Sequence, residues 1–142
     1  RQPTHLAGFL GGQIDAVLRI PDGSGHRFVV VDYKTNRLHA RGASAPLDAY
    51  QPDLLPAAMT DSDYPLQALL YSVAVHRFLR WRLGSGYEPD RHLGGVAYLF
   101  LRGMVGPATP VADGHPYGVF SWQPPAASII ALDALLASGG AQ

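Results

Sequence analysis

An unbroken apolar run that closes on two opposite charges, Val29-Val30-Val31-Asp32-Tyr33-Lys34, constrains this chain more than any other stretch. Three consecutive valines belong in a buried strand, where an idle pair of charges is expensive. Residues i and i+2 of a strand share a face, about 6.5–7 Å apart, so Asp32 and Lys34 are expected side by side. Upstream, Gly12-Gln13-Ile14-Asp15 puts a second carboxylate at the end of an earlier strand-like segment. Between the two lies Pro21-Asp22-Gly23-Ser24-Gly25, a turn in which proline fixes φ and the glycines take positive φ. The pattern predicts an antiparallel hairpin of residues 16–20 with residues 27–33, which brings Asp15 and Asp32 to the same end of neighbouring strands. Two acids and a lysine on one sheet face suit metal-assisted phosphodiester hydrolysis: the acids hold a divalent cation, and the lysine orients water or neutralises developing charge. The competing reading of the same triplet is a solvated ion pair at a hairpin end.

The remaining totals narrow the class. A chain of 142 residues, 47% hydrophobic and 15% charged, is long enough for one domain with a real core. Formal net charge is zero, which argues against holding nucleic acid by the domain's own field; with DNA as substrate, other parts of a larger protein supply the electrostatic track. No cysteine is present, which excludes disulfides and thiolate metal sites. No run approaches the length of a membrane span. Arg1 opens the sequence with neither an initiator methionine nor a signal-peptide pattern, so a piece of something longer is expected. The apolar surplus predicts that an N-terminal helix, a partner or a second copy covers part of the sheet.

Along the chain, residues 5–20 read as one or two strands, with Gly8, Gly11 and Gly12 marking a turn or a close backbone approach. Residues 38–62, with Pro46, Pro52 and Pro56, read as a long loop with short helical turns. A helix follows. Asp61 or Asp63 is its N-cap, Pro65 fits its first turn, and Leu66, Leu69, Leu70, Val73, Leu79 and Leu83 recur at helical spacing before Gly84-Ser85-Gly86 ends it. Residues 96–101 form a buried strand, residues 103–116 a loop, residues 119–122 a short edge strand, and residues 126–136 a final helix. The class is α/β with a mixed sheet.

Within the long helix, Gln67 and Tyr71 stand at i and i+4 on one face. Either they face a site, or Tyr71 is core and Gln67 surface. His76, Arg77, Arg80 and Arg82 with Trp81 make the distal half basic, a run that touches DNA or a partner, or simply complements the helix dipole. Asp48, Asp53, Asp61 and Asp63 read as turn and cap residues, and the six histidines show no pair at metal-ligand spacing.

Residues 11–20 (GGQIDAVLRI), 29–38 (VVVDYKTNRL), 64–83 (YPLQALLYSVAVHRFLRWRL), 93–104 (LGGVAYLFLRGM) and 118–136 (GVFSWQPPAASIIALDALL) together resemble the C-terminal nuclease domain of RecB-type helicase–nuclease subunits, of the PD-(D/E)XK superfamily. The Asp-x-Lys triplet alone is weak; the DYK-T-N string followed by a helix bearing Gln-x-x-x-Tyr is much stronger. The resemblance implies a restriction-endonuclease-like core over residues 1–142, a mixed central sheet flanked by helices and lacking the N-terminal helix. It implies that Asp15 and Asp32 ligate Mg2+, that the Tyr33 carbonyl is a further ligand, that Lys34 is catalytic, and that Gln67 and Tyr71 line the active site or contact DNA. The family's upstream histidine ligand has no match: His5 lies too close to Asp15. Ile14 replaces the proline of the superfamily's name.

By the same resemblance, the expected activity is that of an ATP-dependent exodeoxyribonuclease degrading unwound DNA during double-strand-break repair and recombination in the bacterial cytoplasm. The implied partners are DNA, the RecC and RecD subunits and the strand-exchange protein RecA. No P-loop pattern occurs, so ATP hydrolysis belongs to a portion outside this sequence. Two rivals are a catalytically incomplete scaffold that binds DNA or protein, and a RecB-like nuclease of another context, such as an AddB-type or CRISPR-associated enzyme. The latter usually carry iron–sulfur cysteines, which this chain lacks.

Overall fold

The computed structural model describes residues 11–39 and 46–138. The turn forms where the sequence places it. Strands β1 (Ala16–Asp22) and β2 (Gly25–Lys34) pair antiparallel from Ala16↔Val31 to Asp22↔Gly25, with Gly23 at φ 57 in the tight connection. β2 then lies parallel to β3 (Leu93–Phe100), and β3 pairs antiparallel with β6 (Val119–Trp122), giving the order β1-β2-β3-β6. The architecture is therefore α/β with a mixed sheet, as expected.

The parallel pair carries an irregularity. Phe28 pairs with Leu93 but Val30 pairs with Val96, so β3 spends one extra residue at Gly94-Gly95. Only glycine fits there. Gly95 has φ +86, and a Cβ on it would fall 2.4 Å from the Trp122 carbonyl oxygen. Beyond the bulge Asp32 stands opposite Tyr98 and Lys34 opposite Phe100.

The crossover from β2 to β3 holds a 3-10 turn at Asp48–Tyr50 and the helices α1 (Leu55–Thr60), α2 (Tyr64–Leu83) and α3 (Pro89–His92). Part of the expected long loop is thus helical; residues 40–45 of it lie outside the described residues. The stretch expected as loop after β3 also holds a small ribbon, β4 (Val111–Ala112) with β5 (His115–Pro116). Helix α4 (Ala126–Ser138) closes the described chain and packs on α2, which lies against β3 and β2.

The buried side of α2 differs from the leucine pattern. Leu66 and Leu83 are exposed, and the residues turned inward are Ala68, Tyr71, Ser72, Val73, Val75, His76 and Leu79. Small and branched side chains let the helix come down onto Val30, Val96, Tyr98 and Phe100, whereas a row of leucines would hold it off. Asp63 occupies the N-cap position but makes no side-chain capping bond; its backbone is left-handed (φ 56), and its carbonyl accepts from Gln67 N–H at 3.4 Å.

Three of the four residues in the basic run on α2, His76, Arg77 and Arg80, have structural partners. Buried Asp133 of α4 accepts from Arg77 Nε at 2.5 Å and Arg80 Nη1 at 3.2 Å. The Arg77 hydrogen bond holds the Asp133 carboxyl below its usual range against the opposing effect of burial. His76, 4% exposed, pairs through Nδ1 with the Tyr87 hydroxyl at 2.9 Å. Burial pushes the Tyr87 phenol up to about 12 and pulls His76 down from its ordinary value. Among the described residues, no helix is long and apolar enough to cross a membrane.

Candidate active site

Five of the six side chains singled out from sequence converge at the end of the β1–β2 pair. Asp15 immediately precedes β1, and continuing the ladder by one step sets it opposite Asp32. Its Oδ2 accepts from the Tyr33 N–H at 2.8 Å, so the exposed acid is tied to the backbone beside the buried one. Asp32 and Lys34 share the face of β2 that α2 covers, as alternation requires. Tyr33, the sixth, points its side chain to the other face, where it is about half exposed; only its backbone faces the acids.

Lys34 Nζ lies 2.5 Å from Asp32 Oδ1, with both side chains largely buried. The approach is ionic but falls outside hydrogen-bond geometry. Asp32 Oδ1 is accordingly the one buried side-chain polar atom among the described residues without a hydrogen-bond partner. The same ammonium donates to Gln67 Oε1 at 3.1 Å. Gln67 Nε2 donates to the Tyr71 hydroxyl at 3.0 Å, and that hydroxyl donates to the Gln13 carbonyl at 2.7 Å, with Asp32 Oδ2 at 3.4 Å. Burial, then the charge of Asp32, raises the Tyr71 phenol above its ordinary value, so it remains a donor. Tyr71 is both buried core and a wall of the site; the two sequence readings of it were not exclusive.

Two tyrosines complete the group, and the sequence reading missed both. Tyr98, fully buried on β3, has its hydroxyl proton within reach of the Tyr64 carbonyl at 3.1 Å and Gln67 Oε1 at 3.2 Å. Its phenol is raised well above the ordinary value, first by burial and then by Asp32. Tyr64 stacks on Tyr98 at 5.6 Å between centroids, and Lys34 Nζ sits 4.0 Å above the Tyr64 ring. The available signal was the lone hydroxyl in the run 96–101, which only the register across the sheet makes meaningful. The segment after Lys34 is fixed by Tyr50, whose hydroxyl accepts from Leu38 N–H at 3.1 Å, and by Arg102, which donates to the Thr35 carbonyl at 2.6 Å.

Chemically, the group offers two carboxylates, Asp15 just before β1 and Asp32 on β2, the latter carrying a buried oxygen that meets the Lys34 ammonium outside hydrogen-bond geometry. That donor set fits a hard cation such as Mg2+, which takes one or two carboxylates and keeps several waters. Among the described residues no group of three or more His, Cys, Asp or Glu side chains is arranged to hold a metal, and His5 lies outside them. A cavity of about 450 Å³ adjoins the site, lined by Ile14, Leu66, Leu70 and Ala74 with Gln67 and Tyr71 at its edge.

No family model matches the chain. It is 56% identical over 131 residues to RecBCD enzyme subunit RecB of Mycolicibacterium smegmatis, an alignment covering 92% of this chain and 12% of that protein. The RecB subunit of Mycobacterium tuberculosis is 57% identical over 137 residues, covering 96% and 12%. That of Escherichia coli is 38% identical over 134 residues, covering 94% and 10%. The chain thus spans about a tenth of the length of these relatives. Since the likeness runs through nearly all of its residues, the chain belongs to the RecB subunit family, as a segment of such a subunit.

Proposed function

We propose that residues 1–142 are the nuclease domain of a RecB-type subunit, of the PD-(D/E)XK kind, hydrolysing phosphodiester bonds of DNA with Mg2+. The observation that carries this reading is the convergence of Asp15 and Asp32 beside Lys34, with Gln67 and Tyr71 bonded behind them. Asp15, Asp32 and the Tyr33 carbonyl would hold the cation, which when bound supplies charge neutralisation and an acidified water. Lys34 brings a compact positive charge to the face where the phosphate would lie, and its ammonium protons orient the attacking water and stabilise charge that develops on phosphate oxygens. Gln67 fixes Lys34 from behind, and Tyr71 fixes Gln67 and the segment that carries Asp15. The net charge of zero leaves DNA capture to other parts of the assembly.

On this reading the domain acts in a RecB subunit with RecC and RecD in the bacterial cytoplasm. There it degrades strands unwound by an ATP-driven motor in double-strand-break repair, and RecA is loaded during recombination. The test is Mg2+-dependent cleavage of labelled single-stranded DNA by this chain beside Asp32→Ala. Cleavage lost in the variant supports the reading. A folded chain that never cleaves overturns it for the isolated segment and favours a DNA- or protein-binding scaffold.

A further inference from the structure

Lys34 is the single lysine of the sequence, against ten arginines. Its ammonium sits among three kinds of neighbour: Asp32 Oδ1 at 2.5 Å, Gln67 Oε1 at 3.1 Å, and the faces of Tyr64 and Tyr98 at 4.0 and 5.2 Å to their centroids. An ammonium is a point charge on a flexible four-carbon stem, with no planar fork to set its direction. Left to Coulomb attraction alone it follows its carboxylate wherever that goes. Something must define its position independently of Asp32.

The aromatic pair does so. The rings of Tyr64 and Tyr98 lie nearly parallel, 15° apart, and an aromatic face attracts a cation set over it. The pair is locked by its own hydrogen bond, since the Tyr98 hydroxyl reaches the Tyr64 backbone carbonyl. The same hydroxyl proton is shared with Gln67 Oε1 at 3.2 Å and, with the Gln67 Nε2 bond to Tyr71, turns the amide so that its oxygen, not its nitrogen, faces the ammonium. Tyr98 is fully buried and cannot touch a substrate. We propose that Tyr64 and Tyr98 are positioning residues that set the Lys34 ammonium for catalysis, Tyr64 as the floor beneath it and Tyr98 as the hydroxyl that fixes both the floor and Gln67. The kinetic half of this proposal rests on the nuclease reading; the placement of Lys34 does not.

The test pairs a chemical readout with a kinetic one. Because there is one ε-amine, trace acetylation followed by mass spectrometry reports its access against an added lysine peptide. In Tyr64→Leu the acetylation rate of Lys34 should rise about threefold or more, through loss of the ring that covers it. With Mg2+ and single-stranded DNA, kcat should fall about tenfold while KM stays within about twofold, because misplacing a group costs rate, not binding. Tyr64→Phe keeps the ring and should return both readouts to within about twofold of the parent chain. Tyr98→Phe, which keeps the buried ring, should raise acetylation and lower kcat in the same direction as Tyr64→Leu. Unchanged acetylation in Tyr64→Leu, or equal damage from Tyr64→Phe, overturns the proposal. If the parent chain does not cleave DNA, the nuclease reading is what fails. The acetylation series then decides the positioning by itself.

Discussion

The Tyr71 hydroxyl donates to the carbonyl of Gln13, 58 positions earlier in the chain, at 2.7 Å. That bond couples the helix bearing Gln67 to the segment bearing Asp15, where Ile14 also borders the cavity that Leu66 and Leu70 line. It makes the placement of the exposed acid a property of the helix, not of the strand alone.

Tyr71→Phe should therefore act at a distance. The exposed Gln13 carbonyl and the half-buried Gln67 amide each lose a partner, so stability should fall by about 0.5–1.5 kcal/mol. The Mg2+ concentration needed for half-maximal cleavage should rise several-fold as Asp15 loosens. Urea unfolding and a Mg2+ titration check the two halves; a variant as stable as the parent would show that the bond is incidental.

Lys34→Met removes the ammonium that sits over Tyr64 while keeping an unbranched stem. Cleavage should fall by about 100-fold or more, with the single-strand Kd within about threefold, since one charge among eleven Lys and Arg side chains contributes little to capture. A filter-binding isotherm measured beside the cleavage assay separates the outcomes. Cleavage retained within tenfold would remove Lys34 from the chemistry.

Stability should decline as pH falls. His76 is lowered, chiefly by burial, with Asp133 opposing and Arg80 and Arg77 reinforcing; the Tyr87 hydroxyl is its ring partner. Below about 6.5 the unfolded chain therefore binds a proton that the folded chain resists, and stability is lost as pH falls through that window. Asp133, lowered chiefly by Arg77, has the same sign further down: its contribution is present above the unfolded carboxylate value and lost as pH falls through the folded one. The urea midpoint should thus drop between pH 7.5 and 5.5, and His76→Gln should flatten that drop. An unchanged slope in the variant would assign the effect elsewhere.

Gly95→Ala should cost about 1–3 kcal/mol through its left-handed backbone alone, and more where the new methyl meets the Trp122 carbonyl. Thermal unfolding reads this directly. Gly23→Ala, at φ +57 but with open space around it, should cost less.

What the sequence disclosed follows from how far each signal reaches. The hairpin and the pairing of Asp32 with Lys34 and of Gln67 with Tyr71 are spacing rules within one element, and each is seen in the structure. The leucines of α2 misled because helical spacing says which residues share a face, not which face the sheet takes; Leu66 and Leu70 border a cavity while Ala68 and Val75 are buried. Asp133 was invisible because its partners Arg77 and Arg80 lie on another helix. Tyr64 and Tyr98 were invisible for the same reason, with an additional one that lies in β3 itself.

That reason is the extra residue at Gly94-Gly95. Along a strand, side chains alternate, so inserting one residue is a half-period phase shift that exchanges the two faces of everything downstream. Counted straight through both glycines with no bulge, Asp32 would stand opposite Ala97 and Lys34 opposite Leu99; with the bulge, they meet Tyr98 and Phe100. Two residues with no side chain thus choose whether the cleft is walled by a methyl and an isobutyl group or by a phenol and a phenyl ring. Straightening the bulge with both glycines in place would rewrite the lysine's surroundings without altering a single residue that touches it.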